Sequence, residues 1–340
     1  MNVIDAPLRR RILVLLGLLV AANIITWAVT WAASGRYVFL LATGWLAYAF
    51  GLRHAVDADH ISAIDNTTRK LMRDGKKPLG VGMFFSLGHS TVVVLLSAGL
   101  AAAAGYVQHH LARWHEIGAT VGTVVSGSFL YLIGLVNLIV FWDLVAKARM
   151  AIKNPDDAEA VEAADVFAGT GLLARIFRPV LRMVQHSWQM YFVGFLFGLG
   201  FDTASEVGLL AISSRAGQSG LPFWVIMLLP LLFTVGMCLV DTLDGILMLG
   251  AYGWAAVKPI RKITYNLTIT FISVLVAFIV GTHEMLGMLN IQDLPKTPFW
   301  SRLDDNLGYV IIGLFLSVWA ISVLVSKVKS ARATVDAEPA

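Results

Sequence analysis

Charge is what this 340-residue sequence has least of: 14% of its residues are Asp, Glu, Lys or Arg, while 57% are hydrophobic and the mean hydropathy is +0.73. Soluble globular domains carry about a quarter charged residues, so a soluble domain is excluded and the chain belongs in a lipid bilayer. The single cysteine, Cys238, excludes an intrachain disulfide framework and a metal cage built from thiolates alone. There is no GxxxxGKS or GxxxxGKT phosphate loop, so nothing in the chain points to ATP hydrolysis. HExxH and repeated HxxxH or HxxHH boxes are also missing, which removes the usual signatures of a membrane metallohydrolase or a His-box desaturase.

What the sequence has in abundance is long apolar runs. A spanning helix needs about 20 mostly apolar residues. Eight segments meet that length, at 12–33, 39–61, 79–105, 118–142, 189–212, 222–251, 265–287 and 307–326. The second and sixth do so with charges inside them. The first follows Arg9, Arg10 and Arg11 and ends near Ala32, Ala33 and Ser34, which together resemble a signal peptide and its cleavage site. Its apolar run is too long for a typical signal core and reads as an uncleaved span.

The basic residues fix an orientation. With the N-terminus inside, 20 Lys and Arg fall on the cytoplasmic side, in 9–11, 69–77, 147–182, 258–262 and 327–332. Only five fall outside: Arg36, Arg113, Arg215, Lys296 and Arg302. One missing helix would invert every later loop, so the asymmetry predicts eight spans with both termini cytoplasmic. The net charge of +4 is then topological, and no nucleic-acid partner is needed to explain it.

The expected organisation is an N-terminal membrane half (1–142), a cytoplasmic loop (143–188) and a C-terminal membrane half (189–340) with a short cytoplasmic tail. The loop mixes Asn154-Pro155-Asp156-Asp157 and further acids with later arginines, and reads as amphipathic or partly disordered. The halves share a pattern. FGLRHAVDADH at 50–60 resembles FGLGFDTASEV at 197–207, and FSLGHS at 85–90 resembles FTVGMCLVD at 233–241, with offsets of 147 and 148 residues. Three spans separate the matched helices, so helices 2–3 and 5–6 would run in opposite senses. That is the inverted-repeat arrangement of many secondary transporters, with the substrate site where the repeats meet.

Ionisable residues inside a span are costly and mark a pathway or site. The densest group is Arg53-His54-Ala55-Val56-Asp57-Ala58-Asp59-His60. On a continuous helix, at about 100° per residue, His54, Asp57 and His60 share one face and Asp59 points elsewhere unless the helix unwinds. Imidazole with carboxylate is the donor set of Ni, Co, Zn and Fe, whereas Mg and Ca prefer oxygen alone. Arg53 suits a surplus carboxylate. The third span adds His89 and Ser90 beside Gly88, which permits close helix approach. The fifth carries Asp202 and Glu206 at i, i+4, and the sixth Asp241 and Asp244 at i, i+3. These acids can balance a divalent charge, relay protons or pair with Arg53. The repeat alignment sets Met237 and Cys238 opposite His89 and Ser90, as soft donors or as packing groups. His109, His110 and His115 read as a solvated outer loop, and His186 and His283 receive no role.

The strings RHAVDADHI (53–61), LGHSTVV (87–93), LGFDTASEV (199–207) and GMCLVDTLDG (236–245) resemble those of the nickel/cobalt transporter (NiCoT) permeases over essentially the whole chain. That family's His-x4-Asp-His falls on His54, Asp59 and His60. Ser205 stands where the family usually has Thr, which keeps the hydroxyl. The resemblance implies high-affinity, low-capacity uptake of Ni²⁺, Co²⁺ or both across a bacterial inner membrane, with no cofactor and no ATPase subunit. The expected metal ligands are then drawn from His54, Asp57, Asp59, His60, His89 and Ser90. Arg53, Asp202, Glu206, Asp241 and Asp244 are expected to balance charge or carry protons. Export through the same site is the alternative, because no residue fixes direction.

Overall fold

The computed structural model describes residues 5–102, 108–153, 184–200, 204–255 and 259–288, with isolated positions between 309 and 320. Among them the secondary structure is helical throughout, without strands. The helices are α1 (Ala6–Ser34), α2 (Leu40–His54), α3 (Ala58–Arg73), α4 (Val81–Ala102), α5 (Gln108–Lys153), α6 (Met190–Phe197), α7 (Ala204–Gln218), α8 (Phe223–Ile226), α9 (Leu228–Ala255) and α10 (Pro259–Met288). Short 3₁₀ turns cover Ser187–Gln189 and Gly198–Gly200. Among the described residues, four helical stretches are long and apolar enough to cross a membrane: Ala6–Ser34, Val81–Ala101, Gly127–Met150 and Phe223–Gly253. Leu267–Thr282 is a shorter apolar stretch.

The structure departs from the expected spans where charges interrupt them. The run at 39–61 is not one helix: α2 ends at His54, Ala55–Asp57 form a turn, and α3 starts at Ala58 with Asp57 extended (φ −67°, ψ 147°) as its N-cap. The break follows from the residue types. Arg53 and His54 sit in the last turn of α2 and Asp59 in the first turn of α3, so cations meet a helix C-terminus and an acid meets a helix N-terminus. Within the run at 189–212, α6 passes into the 3₁₀ turn Gly198–Gly200, and α7 is described from Ala204. Helix α5 runs beyond the expected limit at 142 as far as Lys153, and its backbone is already helical at His109, His110 and His115, where a loop was expected. The eighth expected span, 307–326, lies mostly outside the described residues.

A larger difference concerns residues 62–73, expected beyond the membrane but folded as the buried helix α3. Ser62, Asp65, Asn66, Thr67, Thr68, Arg69 and Lys70 are all buried. Their polar groups are met largely within the protein, as burial requires. Asp65 Oδ1 accepts a hydrogen bond from Tyr252 Oη of α9 (2.5 Å) and Oδ2 one from Ser273 Oγ of α10 (3.0 Å). Arg69 lies 3.6 Å from Asp65 Oδ2 and donates to Asn66 Oδ1 (2.6 Å) and Thr270 Oγ1 (3.2 Å). Asn137 of α5 also donates to Asn66 Oδ1. The network ties α3 to three neighbouring helices.

Helix α9 packs against α1, α2, α3 and α4, and α4 also packs against α6 and α7. Glycines set the closest crossings. A Cβ on Gly51 of α2 would lie 2.1 Å from Phe233 O of α9, and one on Gly82 of α4 would lie 2.0 Å from Asp241 O of α9. A Cβ on Gly88 of α4 would lie 1.8 Å from Tyr191 O of α6. Only glycine lets these backbones touch, which draws α2, α4, α6 and α9 together around one point. At one end of the body Asp5 caps α1 through Leu8 N (3.1 Å) and pairs with Lys77 Nζ (2.5 Å). These contacts, the lysine first, hold its carboxyl below the usual range.

Candidate metal centre

The helix break sets the geometry of the centre. Because the chain turns at Ala55–Asp57, His54 closes α2 and His60 enters from the first turn of α3, and the two rings meet edge to face with centroids 4.6 Å apart. His89 of α4 completes the group, its ring centroid 4.7 Å from that of His54 and 4.8 Å from that of His60. One ligand atom from each of the three lies within 4.8 Å of the others, and all three side chains are buried. Phe85 packs edge to face on His60 (4.7 Å) and Phe233 lies against His54 (5.5 Å), which makes an apolar wall around polar rings.

A carboxylate joins them from the C-terminal half. Glu206 Oε1, on α7, is 2.8 Å from His89 Nε2 and 3.9 Å from His54 Nε2, and the two Nε2 atoms are 2.9 Å apart. A first-row cation holding nitrogen or oxygen at about 2.1 Å separates neighbouring donors by about 3.0–3.4 Å. These three spacings bracket that range, so a small cation fits among the Glu206, His54 and His89 donors with small shifts, while the ligand atoms of the three histidines spread over as much as 4.8 Å. Glu206 and the three histidines are at most 3% exposed, so these nitrogen and oxygen donors face one another in an interior closed to water, a donor set suited to a late first-row cation.

Behind the rings stand further carboxylates. His54 Nδ1 is 3.0 Å from Asp57 Oδ2, and His60 Nδ1 is 3.3 Å from Asp241 Oδ2 on α9. Partners of this kind at the far nitrogen fix the tautomer and orientation of a metal-binding imidazole. His60 Nε2 and His89 Nδ1 are buried without a hydrogen-bond partner among the described residues. Buried imidazole nitrogens are seldom left so, and a cation is one group that takes such a lone pair at His60 Nε2, whereas His89 faces the other donors through Nε2 rather than Nδ1.

The other expected residues fall as follows. Arg53 NH1 lies 3.7 Å from Asp57 Oδ1 at the half-exposed edge of the centre. Asp59 Oδ1 accepts from the backbone N–H of His60 (2.9 Å), a contact that orients the start of α3. Ser90 is buried beside His89, its hydroxyl without a partner among the described residues. Asp244 Oδ2 is buried without a hydrogen-bond partner on the α9 turn after Asp241. Asp202 lies outside the described residues. Met237 and Cys238 are buried, Met237 within the apolar cluster that includes Phe233. Sequence reading missed Ser86, whose signal was a polar residue one turn before His89, and the Asp65–Arg69 network, whose signal was an i, i+4 ion pair just past the metal motif.

The description "NicO: High-affinity nickel-transport protein" covers residues 40–325 of this chain. The chain is 47% identical over 336 residues to the high-affinity nickel transport protein of Cupriavidus necator, a match covering 97% of this chain and 95% of the relative. It is 44% identical to the nickel transporter NixA of Staphylococcus aureus, covering 92% and 93% of the two chains. It is 35% identical to the cobalt transport protein NhlF of Rhodococcus rhodochrous, covering 95% and 94%. No solved structure matches it. With apolar spanning helices, a buried three-histidine centre and these similarities over nearly its full length, the chain belongs to the NicO family of membrane transporters.

Proposed function

We propose that this chain is a permease for high-affinity uptake of nickel, with cobalt as a second substrate, across a bacterial inner membrane. The observation that carries it is the meeting of His54, His60, His89 and Glu206 at one buried point, a nitrogen-rich set suited to late first-row cations. Relatives named as nickel transporters, and one named for cobalt, support the same substrates.

The ion enters from outside and exchanges its water for the three imidazoles and Glu206. Asp57, Asp59 and Asp241 stand within the same motif or directly behind the rings and lower the cost of bringing two positive charges into an apolar interior. Arg53 offsets Asp57 while no ion is bound. Ser90 offers a further oxygen ligand, and Asp202 and Asp244 balance charge or carry protons. The chain crosses the membrane eight times with both termini in the cytoplasm, a reading supported by the distribution of Lys and Arg. Tyr37 against Trp224, with Arg36 over the Tyr37 ring, supports an interfacial belt at the opposite end from Asp5 and Lys77.

The second and third expected spans (39–61, 79–105) form an inverted repeat with the fifth and sixth (189–212, 222–251). The turn at Ala55–Asp57 and the 3₁₀ turn at Gly198–Gly200, which lie within the matched strings though at different positions in them, support an irregular segment in each half. Since His54, His60 and His89 come from residues 1–142 and Glu206 and Asp241 from residues 189–340, rocking of one half against the other opens the donor set and releases the ion inward. The membrane potential or a proton gradient supplies the drive, without an ATPase subunit.

The test is uptake of radioactive nickel and cobalt at submicromolar concentration, each with the other as competitor, in cells expressing wild type or His60→Ala. Saturable accumulation that the variant lacks is expected. Lower accumulation in expressing cells than in controls would mean export instead.

A further inference from the structure

The carboxylate behind His60 is itself held by a second side chain, and the group that holds it begins on α4. Gly82, Ser86 and His89 lie at i, i+4 and i+7 and so share one face of that helix. Gly82 brings the α9 backbone to Asp241 into contact, and His89 supplies a ring to the centre. Between them, Ser86 Oγ lies 2.5 Å from Asp241 Oδ2, the same oxygen that is 3.3 Å from His60 Nδ1. Ser86, Asp241 and His60 are each 0% exposed.

The proton of Ser86 has two acceptors in reach, Gly82 O at 2.9 Å and Asp241 Oδ2 at 2.5 Å. The carboxylate is the nearer and the stronger acceptor. With Ser86 donating to it, Asp241 Oδ2 is held in place to accept from His60 as well. An imidazole that donates from Nδ1 keeps its lone pair on Nε2, and His60 Nε2 is the buried nitrogen without a hydrogen-bond partner. Phe85, next to Ser86, packs edge to face on the His60 ring and blocks its rotation.

We propose that Ser86 is a positioning residue of the metal centre: by donating to Asp241 it fixes the His60 Nδ1–H tautomer and so presents His60 Nε2 to the ion. This rests on the reading of His54, His60 and His89 as the ion's site. Removing the hydroxyl frees the Asp241 carboxylate to turn, and His60 then samples the tautomer protonated on Nε2, which has no lone pair there for the ion. Loss of an outer partner of a metal-binding histidine typically costs about 10- to 100-fold in affinity.

The experiment uses the purified full-length protein in detergent as wild type, Ser86→Ala and Ser86→Thr. Co²⁺ and Ni²⁺ affinities are measured by competition with a chelator, the Co²⁺ d–d absorption spectrum is recorded, and thermal melting confirms folding. In parallel, the metal-free wild type labelled with ¹⁵N-histidine reports the His60 tautomer, its resonances assigned by their loss in His60→Gln. Expected are an affinity loss of about 10- to 100-fold and a changed Co²⁺ spectrum in Ser86→Ala, near wild-type behaviour in Ser86→Thr, and an Nδ1–H His60. A folded Ser86→Ala with wild-type affinity and an unchanged spectrum would overturn the proposal, and so would an Nε2–H His60 in the wild type. Should Ser86→Ala fail to fold, the wild-type tautomer decides. Should the wild type bind neither metal, the site reading fails, while the tautomer still reports on the Ser86–Asp241–His60 chain.

Discussion

Two buried polar clusters lie along α3, and they treat their acceptors in opposite ways. Around Asp65 both carboxylate oxygens receive protein hydroxyls, and Asn66 Oδ1 receives two donors. Around His60 the nitrogens of His54 and His89 face each other at 2.9 Å, and His60 Nε2 meets no donor. In the first cluster the Asp65 and Asn66 acceptors are met by protein donors, and the contacts lock helices together. The second brings three imidazoles and carboxylates to one point and leaves His60 Nε2 without a hydrogen-bond partner among the described residues, an arrangement suited to a cation. Burial and polarity are alike in the two clusters. What separates structural clamp from binding site is whether the acceptors are already met.

The sharpest way to break this comparison is to remove a ring. His54→Ala should abolish saturable nickel uptake, with affinity in the purified protein falling by more than about 100-fold, since an outer partner alone is worth about 10- to 100-fold. Melting temperature should fall by less than in the converse variant Asp65→Ala. Normal affinity would place the site elsewhere. Asp65→Ala should do the reverse: leaving Arg69 buried without its carboxylate costs about 3–5 kcal/mol, read as a large drop in melting temperature, while the protein that remains folded keeps its nickel affinity within a few-fold. If affinity collapsed and stability held, Asp65 would belong to the site.

Gly88→Ala joins the two effects. Its Cβ would sit 1.8 Å from Tyr191 O, so α4 and α6 must separate and carry His89 away from Glu206. A loss of about 1–3 kcal/mol from overpacking should come with weaker nickel binding, both measured on the same purified sample. An unchanged affinity would mean that α4 shifts without disturbing His89. The smallest effect belongs to Tyr252→Phe, which removes one donor to Asp65 and should lower stability by about 1–3 kcal/mol while the KM for nickel uptake stays at its wild-type value. A raised KM would show that the clamp and the site are coupled.

Much of the site was legible in the sequence because charge inside an apolar run stands out. His54, His60 and His89 were identified from that contrast, as were Asp57, Glu206 and Asp241. Their division of labour was not legible. Asp59 matches the family's His-x4-Asp-His, yet its carboxylate turns to the backbone N–H of His60, while Glu206, 117 residues from His89 along the chain, makes the 2.8 Å contact. Periodicity assumes a continuous helix, and the turn at Ala55–Asp57 breaks that assumption at the residues where it mattered. Ser86 and Asp65 escaped because a serine in an apolar helix and an Asp–Arg pair near a helix end are ordinary features until their partners are known.

The sequence by itself determined that this is a helical membrane protein with histidines and carboxylates inside its apolar segments, because hydropathy and charge are properties of each residue. Its likeness to nickel and cobalt transporters also lay in the order of residues. Tertiary structure alone decided which of those groups meet. Glycine crossings at Gly51, Gly82 and Gly88 set how closely α2, α4, α6 and α9 approach, and the helix break set where His54 and His60 point. Whether a nitrogen is paired or left open to an ion depends on atoms that are distant along the chain, and folding alone brings them within a hydrogen bond's length.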